Sequence, residues 1–283
     1  MLGAIHRVTL SASDLAAVEY AYAAFLDYRV TERGKVSAAE AACWGTPAMS
    51  GNATLTMRPA AGDDFEFRFV SGPAYPDYVP LTTFGWNASE IMVQNVDAMA
   101  ERVANSPFQI VGEPRNLSFS DDIRAMQLRG PASEIVYLTE FKKPVPGLSV
   151  PVARSAVDRT FIVILGGASM QRLQDFYHLT FGVPKAPVVQ SRITMLSRAL
   201  GVSIETLYPI AAMTLEGDSL IEADEMPAQV GPRQALHGYL PPGIALTGFH
   251  CTKIPATATP VQGHDGVFVM RGAAGELIEL FAV

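Results

Sequence analysis

The chain is short of charge and almost free of cysteine. Only 17% of its 283 residues are Asp, Glu, Lys or Arg, against roughly 25% in an average globular chain. Since 49% are hydrophobic, low charge here means a large core and excludes a disordered chain. The two cysteines, Cys43 and Cys251, fall in different halves. That excludes a disulfide framework and a paired-cysteine metal site, and both read as small buried hydrophobes. No apolar run reaches the ~18 residues that span a bilayer. The start, MLGAIHRVTLSASDL, lacks the charged and apolar regions of a leader. The expected location is therefore cytoplasmic, with no membrane partner. A formal net charge of -7 argues against nucleic acid as a partner. The phosphate-binding glycine loop, the paired-histidine zinc helix and the nucleophile elbow are all missing as well.

What the sequence does have is internal repetition. Near the end of each half stands a near-copy, RGPASEIVYL from Arg129 and RGAAGELIEL from Arg271. Each reads as strand, tight turn and strand. The starts match too: Val8 to Leu15 leads into a helix carrying Tyr22, and Val163 to Leu165 leads into one carrying Phe176 and Tyr177. In the first helix Ser13 or Asp14 can cap, and Leu15, Val18, Tyr22, Phe25 and Leu26 share an apolar face. The second runs from Ser169 to Thr180, with Met170, Leu173, Phe176 and Tyr177 inward. Further strands begin at Ile91, followed by a helix from Ala98, and at Ile244, where Pro255 and Pro260 leave little room for a helix. The chain thus divides into four units. Residues 1–141 are expected to form an N-terminal domain and 155–283 a C-terminal one, joined by a proline-rich linker at 142–154.

The strand ending in Ser-Asp-Leu, the helix ending in aromatics and the closing Ile-Glu-Leu strand, in duplicate, resemble the vicinal oxygen chelate superfamily. That group contains glyoxalase I, bleomycin-resistance proteins and extradiol dioxygenases. The resemblance covers essentially the whole chain and implies an α+β fold, with four βαβββ modules forming two glyoxalase-like open-barrel domains in tandem. It also implies a divalent metal on the floor of a cavity, held by His or Gln and Glu from the first and last strands of each module. A mixed imidazole and carboxylate set suits Fe, Mn, Zn or Ni.

Carried over position by position, the first half loses that set. Its expected ligand positions fall on Arg7, Ala88 and Tyr137, with Glu66 or Arg68 on a further strand. Strand alternation sets Arg7 inside and His6 outside. The second half keeps Glu279 and Glu222, while its strand-one positions are Ile162 or Phe161, and Leu246. Alternation puts Leu246, Gly248 and His250 on one face. Glu279, Glu222 and His250 are thus the expected catalytic set, either as ligands of one divalent metal or as a metal-free acid–base cluster. Arg7, Tyr137, Glu90 and Leu246 are expected to line the substrate, although an Arg7–glutamate pair is the blander role for Arg7. His178 suits a helix C-terminus, and His237 and His264 lie in loops. Trp44 and Trp86 suit a core or cavity wall.

Two functions compete. One is an enzyme of vicinal oxygen chelate type, a lyase, isomerase or ring-cleavage catalyst, acting on a small aromatic or vicinal-oxygen substrate. The other is a metal-free protein that binds or sequesters a small ligand, as the bleomycin-resistance branch does. Either could be a monomer or a homodimer.

Overall fold

The computed structural model describes residues 2–117, 120–143 and 151–283; Pro144, Pro146 and Gly147 of the expected linker lie outside the described residues. Four units follow one another. The first is β1 (Leu2–Ala12), α1 (Leu15–Phe25), β2 (Tyr28–Lys35), α2 (Ala38–Trp44), β3 (Ala53–Pro59) and β4 (Glu66–Ser71). The second is β5 (Gly85–Val93), α3 (Val96–Val103), β6 (Gln109–Leu117), β7 (Ser120–Arg129) and β8 (Ile135–Phe141). The third is β9 (Val157–Gly167), α4 (Met170–Phe181), β10 (Val189–Arg192), α5 (Thr194–Ala199), β11 (Leu207–Thr214) and β12 (Leu220–Glu225). The fourth is β13 (Gly243–Cys251), β14 (Thr259–Pro260), β15 (Val267–Arg271) and β16 (Leu277–Ala282).

The expected α+β architecture of four modules and two open-barrel sheets is present. The expected pairing of modules is not. Sheet I runs β14-β15-β16-β13-β1-β4-β3-β2 and sheet II runs β10-β11-β12-β9-β5-β8-β7-β6. Module one therefore joins module four along the β1–β13 seam, and module two joins module three along β5–β9. The boundaries 1–141 and 155–283 mark the sequence repeat, but each sheet takes one module from either half. The repeat shows which modules are alike. Since every module offers a similar first strand, local pattern cannot choose the seam.

The helices form where their caps predict. Asp14 accepts from Ala16 N and Ala17 N at the start of α1, and Ser169 accepts from Arg172 N at the start of α4. Val18 and Tyr22 of α1 share a buried cluster with Val8 and Leu10 of β1, so the helices cover one face of the sheets and leave the other concave. No helix follows β13, as Pro255 and Pro260 imply. Two short helices were not foreseen. Both α2 and α5 follow the second strand of an odd module and lie on the concave side.

The repeated turn has a physical purpose. Tyr22 Oη donates to Glu134 Oε1 and Tyr177 Oη to Glu276 Oε1, each at 2.9 Å. Each bond ties the helix of an odd module to the turn of the next, and so ties one sheet to the other. Burial raises both carboxyls to about 7, so each can hold its own proton while accepting from the phenol. Glycine precedes each glutamate for room, because a Cβ on Gly130 or Gly272 would stand 1.9 or 1.8 Å from the carboxylate oxygen. Trp86 Nε1, donating 2.8 Å to Leu277 O, adds a further tie between the sheets. Among the described residues no helix is long and apolar enough to cross a membrane.

Candidate functional site

Strand alternation aims Arg7 on β1, Glu66 and Arg68 on β4, Gly248 and His250 on β13 and Glu279 on β16 at the concave side of sheet I. Register sets Arg7 opposite both Glu66 and Gly248, and Gly248 opposite Glu279. The Arg7 guanidinium lies between the carboxylates, with Nε 2.6 Å from Glu66 Oε1 and a terminal nitrogen 3.2 Å from Glu279 Oε2. Arg58 reaches the other oxygen of Glu66 at 2.8 Å. Burial opposes the Arg7 charge, but Glu279 and Glu66 outweigh it and raise its pKa. Burial likewise opposes the Glu66 charge, and Arg7 and Arg58 outweigh it, so that carboxyl sits below its usual range. Gly248 makes this possible: a Cβ there would stand 2.7 Å from the Phe281 ring and 3.3 Å from Arg7 Cβ.

A bulge between Ile5 and Arg7 corrects the expectation that His6 faces outward. The extra residue brings His6 to the same side, its ring 4.6 Å from His250 and 4.5 Å from Phe281. Burial holds both imidazoles below their usual pKa, His6 at about 4. The rest of this concave face is filled. Trp44 of α2 packs with Val70, Leu246 and Leu277, and Glu40 of α2 receives Arg68 at 2.6 Å. Leu246, expected to touch substrate, is 0% exposed inside that cluster.

The concave face of sheet II is open. The matching register sets Glu90, not Ala88, opposite both Tyr137 and Ile162, and Ile162 opposite Leu220; Glu222 lies two residues further along β12, opposite Ile164. Where sheet I has Gly248, Glu279, Arg7 and Glu66, sheet II has Glu90, Tyr137, Ile162 and Leu220. Glu90, Tyr137 and Glu222 line a cavity of about 410 Å3, whose walls include Ile123, Phe141, Ile162, Ile210 and Leu220. Met195 of α5 and Arg115 of β6 lie at its rim, and Arg115 donates 3.2 Å to Thr194 Oγ1. Burial, reinforced by Glu222, raises the Glu90 carboxyl to about 8, even though Thr139 Oγ1 donates to it at 2.6 Å. Burial raises Glu222 to about 7. It also pushes up Asp224, two residues along the same strand face, with help from Glu222. Tyr137 is raised by burial and by Glu222, Asp224 and Glu90. At neutral pH this floor holds carboxyls that can both give and take a proton.

The expected set of Glu279, His250 and Glu222 is therefore not brought together. Glu279 and His250 belong to sheet I and Glu222 to sheet II. Of the expected substrate-lining residues, Tyr137 and Glu90 meet Glu222 in the cavity, while Arg7 is engaged by two carboxylates and Leu246 is core. Nor does either floor fit the divalent metal that the resemblance implied. In sheet I a guanidinium stands between the carboxylates. In sheet II a phenol, an isoleucine and a leucine take three of the four positions, and no group of three or more His, Cys, Asp or Glu is placed to hold an ion among the described residues.

Asp224, Gln127 and Arg115 were missed. Asp224 had a signal: in Glu222-Ala-Asp-Glu225 alternate residues share a face. Glu225 turns the other way and accepts from Met170 N at the start of α4 at 2.7 Å. Arg115 and Gln127 reach the cavity from strands far from Glu222 in sequence, and nothing local marks them.

No protein-family model and no curated protein sequence matches the chain. Solved structures do match. Glyoxalase I from Zea mays superposes with a TM-score of 0.67 at 12% identity, covering 99% of this chain and 92% of that one. A putative dioxygenase from Bacillus subtilis superposes with a TM-score of 0.63 at 11% identity, covering 99% and 85%. At such low identity the likeness speaks for the fold. The chain has the four-module, two-sheet fold of these solved structures, glyoxalase I among them.

Proposed function

We infer that the protein is an enzyme of proton transfer, an isomerase or lyase, acting on a small and largely apolar molecule in the sheet II cavity. One observation carries this reading: Glu90 and Glu222, from different modules, share a cavity of about 410 Å3 with no cation among the groups that act on them. The volume falls in the roughly 300–1,000 Å3 range of small-ligand sites. A carboxyl poised near neutral pH is well matched to act as general acid or base. One of the pair takes a proton from a carbon or hydroxyl of the substrate while the other returns one, and neutral Tyr137 donates to the oxygen that gains charge. No part of this sequence is routed through a metal, because the donor set does not suit one.

The test is hydrogen exchange. A panel of small enolisable compounds is incubated with the protein in deuterium oxide, and label uptake is followed by NMR. Wild-type protein is expected to accelerate exchange of at least one member, and Glu90→Gln or Glu222→Gln to lower the rate by about 10²–10⁴-fold, the range of general acid–base catalysis. Unchanged exchange in both variants sinks the reading. The apolar walls favour a second reading, sequestration of a small ligand. It predicts tight binding that survives both substitutions, with no exchange.

A further inference from the structure

We propose that the ligand of the sheet II cavity is a small monocation, a primary or secondary amine on an apolar body. Its nitrogen would meet the Glu90 and Glu222 carboxyls, which share the cavity with no cation between them, whereas Arg7 joins Glu66 and Glu279 in sheet I. The inference rests on reading this cavity as the functional site.

The two floors are built on the same strand plan. In sheet I the closing-strand carboxylate, Glu279, is neutralised by a nitrogen cation from β1. In sheet II Ile162 and Leu220 hold the places of Arg7 and Glu66, and the acids are Glu90 on β5 and Glu222, two residues beyond Leu220 on β12. Two acids thus share an open cavity with no cation between them. The two arginines of the lining are engaged elsewhere. Arg192 pairs with Glu205 at 2.8 Å, and Arg115 donates to Thr194 at the rim, its charge felt by Tyr137 but not among the influences on Glu90 or Glu222.

A second observation is independent of the carboxyl cluster. Gln127 lines the cavity and is 5% exposed, yet its side-chain carbonyl has no hydrogen-bond partner among the described residues. An acceptor without a donor is costly when buried and calls for a ligand that donates. An ammonium offers two or three N–H donors and one positive charge, which is what two carboxyls and an amide carbonyl lack. A carboxylate or phosphate would bring a further acid to a floor that offers no free cation to pair it. The apolar walls fix the rest of the molecule as hydrocarbon or aromatic ring.

The experiment is calorimetric titration of the full chain with benzylamine, benzyl alcohol and benzoate, three probes of nearly one shape and three charge types. The amine is expected to bind at least about tenfold tighter than the alcohol, and benzoate weakest. Binding of the amine at neutral pH is expected to release protons, read as a dependence of heat on the buffer's ionisation enthalpy, because the carboxyls must ionise to pair. Glu222→Gln is expected to lower amine affinity by about tenfold or more. Circular dichroism and thermal unfolding serve as the check that the variant folds. Equal or tighter binding of the alcohol or benzoate overturns the inference, and so does binding of none of the three. If Glu222→Gln still abolishes exchange in the previous assay, only the identity of the ligand has failed. If exchange is unaffected as well, the functional reading has failed with it.

Discussion

Sheets I and II start from the same strand plan and end with opposite floors. In sheet I a guanidinium lies between two carboxylates, Gly248 gives it room, and α2 packs Trp44 over what remains. In sheet II two carboxyls face a phenol, no cation lies between them, and α5 stops at the rim of an open cavity. One floor is complete in itself and the other is unfinished. The difference shows how a duplicated scaffold separates stability from chemistry: ion pairing fixes a carboxylate in its charged form, whereas burial without a partner leaves it able to exchange a proton.

The comparison breaks most visibly if the completed floor is emptied. Arg7→Ala leaves Glu66 and Glu279 buried without their shared cation, and is expected to cost about 3–5 kcal/mol in denaturant unfolding, the range for removing one partner of a buried ion pair. It should leave proton exchange in sheet II intact. Loss of exchange in a folded Arg7→Ala protein would mean that the two floors act as one. The reverse experiment fills the unfinished floor. Glu90→Arg sets a guanidinium in the cavity that Glu222 lines and is expected to lower exchange by about 100-fold or more, roughly 2.7 kcal/mol of barrier. Chemical denaturation should show no loss of stability at pH 8.

A pH series sharpens the contrast further. Glu90 at about 8, and Glu222, Glu134 and Glu276 at about 7, all lie above the ordinary value of 4.5. Between those values the folded state holds more protons than the unfolded one. This stability is fully present near pH 4.5 and is lost as pH rises through 7 to 8. Unfolding free energy is expected to fall by about 2 kcal/mol or more for each such carboxyl between pH 5 and 8, and Glu90→Gln with Glu222→Gln should flatten the slope. A slope of the other sign would contradict buried, unpaired carboxyls. The smallest effect is expected from Tyr22→Phe, which removes the donor to Glu134 and one tie between the sheets, at about 1 kcal/mol by thermal or chemical unfolding.

Much of this could be read before any coordinates. Asp14 and Ser169 announced two helices, Pro255 and Pro260 the absence of a third, and the paired RG turns the duplication of the two halves. Glu90, Tyr137 and Glu222 were each recognisable as inward positions. Their association was not. Glu279 and His250 stand near Glu222 in the order of the chain, so the expected set drew all three from one half. The β1–β13 and β5–β9 seams gave them to different floors. His6 was misplaced for a related reason: a bulge adds a residue to the strand and breaks the alternation on which the inside and outside assignments rest.

The sequence by itself determined the local terms: where helices start and stop, which residues alternate inward, and that four similar modules are present. Those follow from caps, proline and hydrophobic period, which act over a few residues. Only the tertiary structure decided that Arg7 meets Glu66 and Glu279, that Glu90 meets Glu222, and that one floor is closed and the other open. Such pairings join residues 59 to 272 positions apart, and they follow from which seam buries its strands together. Several alternatives satisfy the same local pattern equally well.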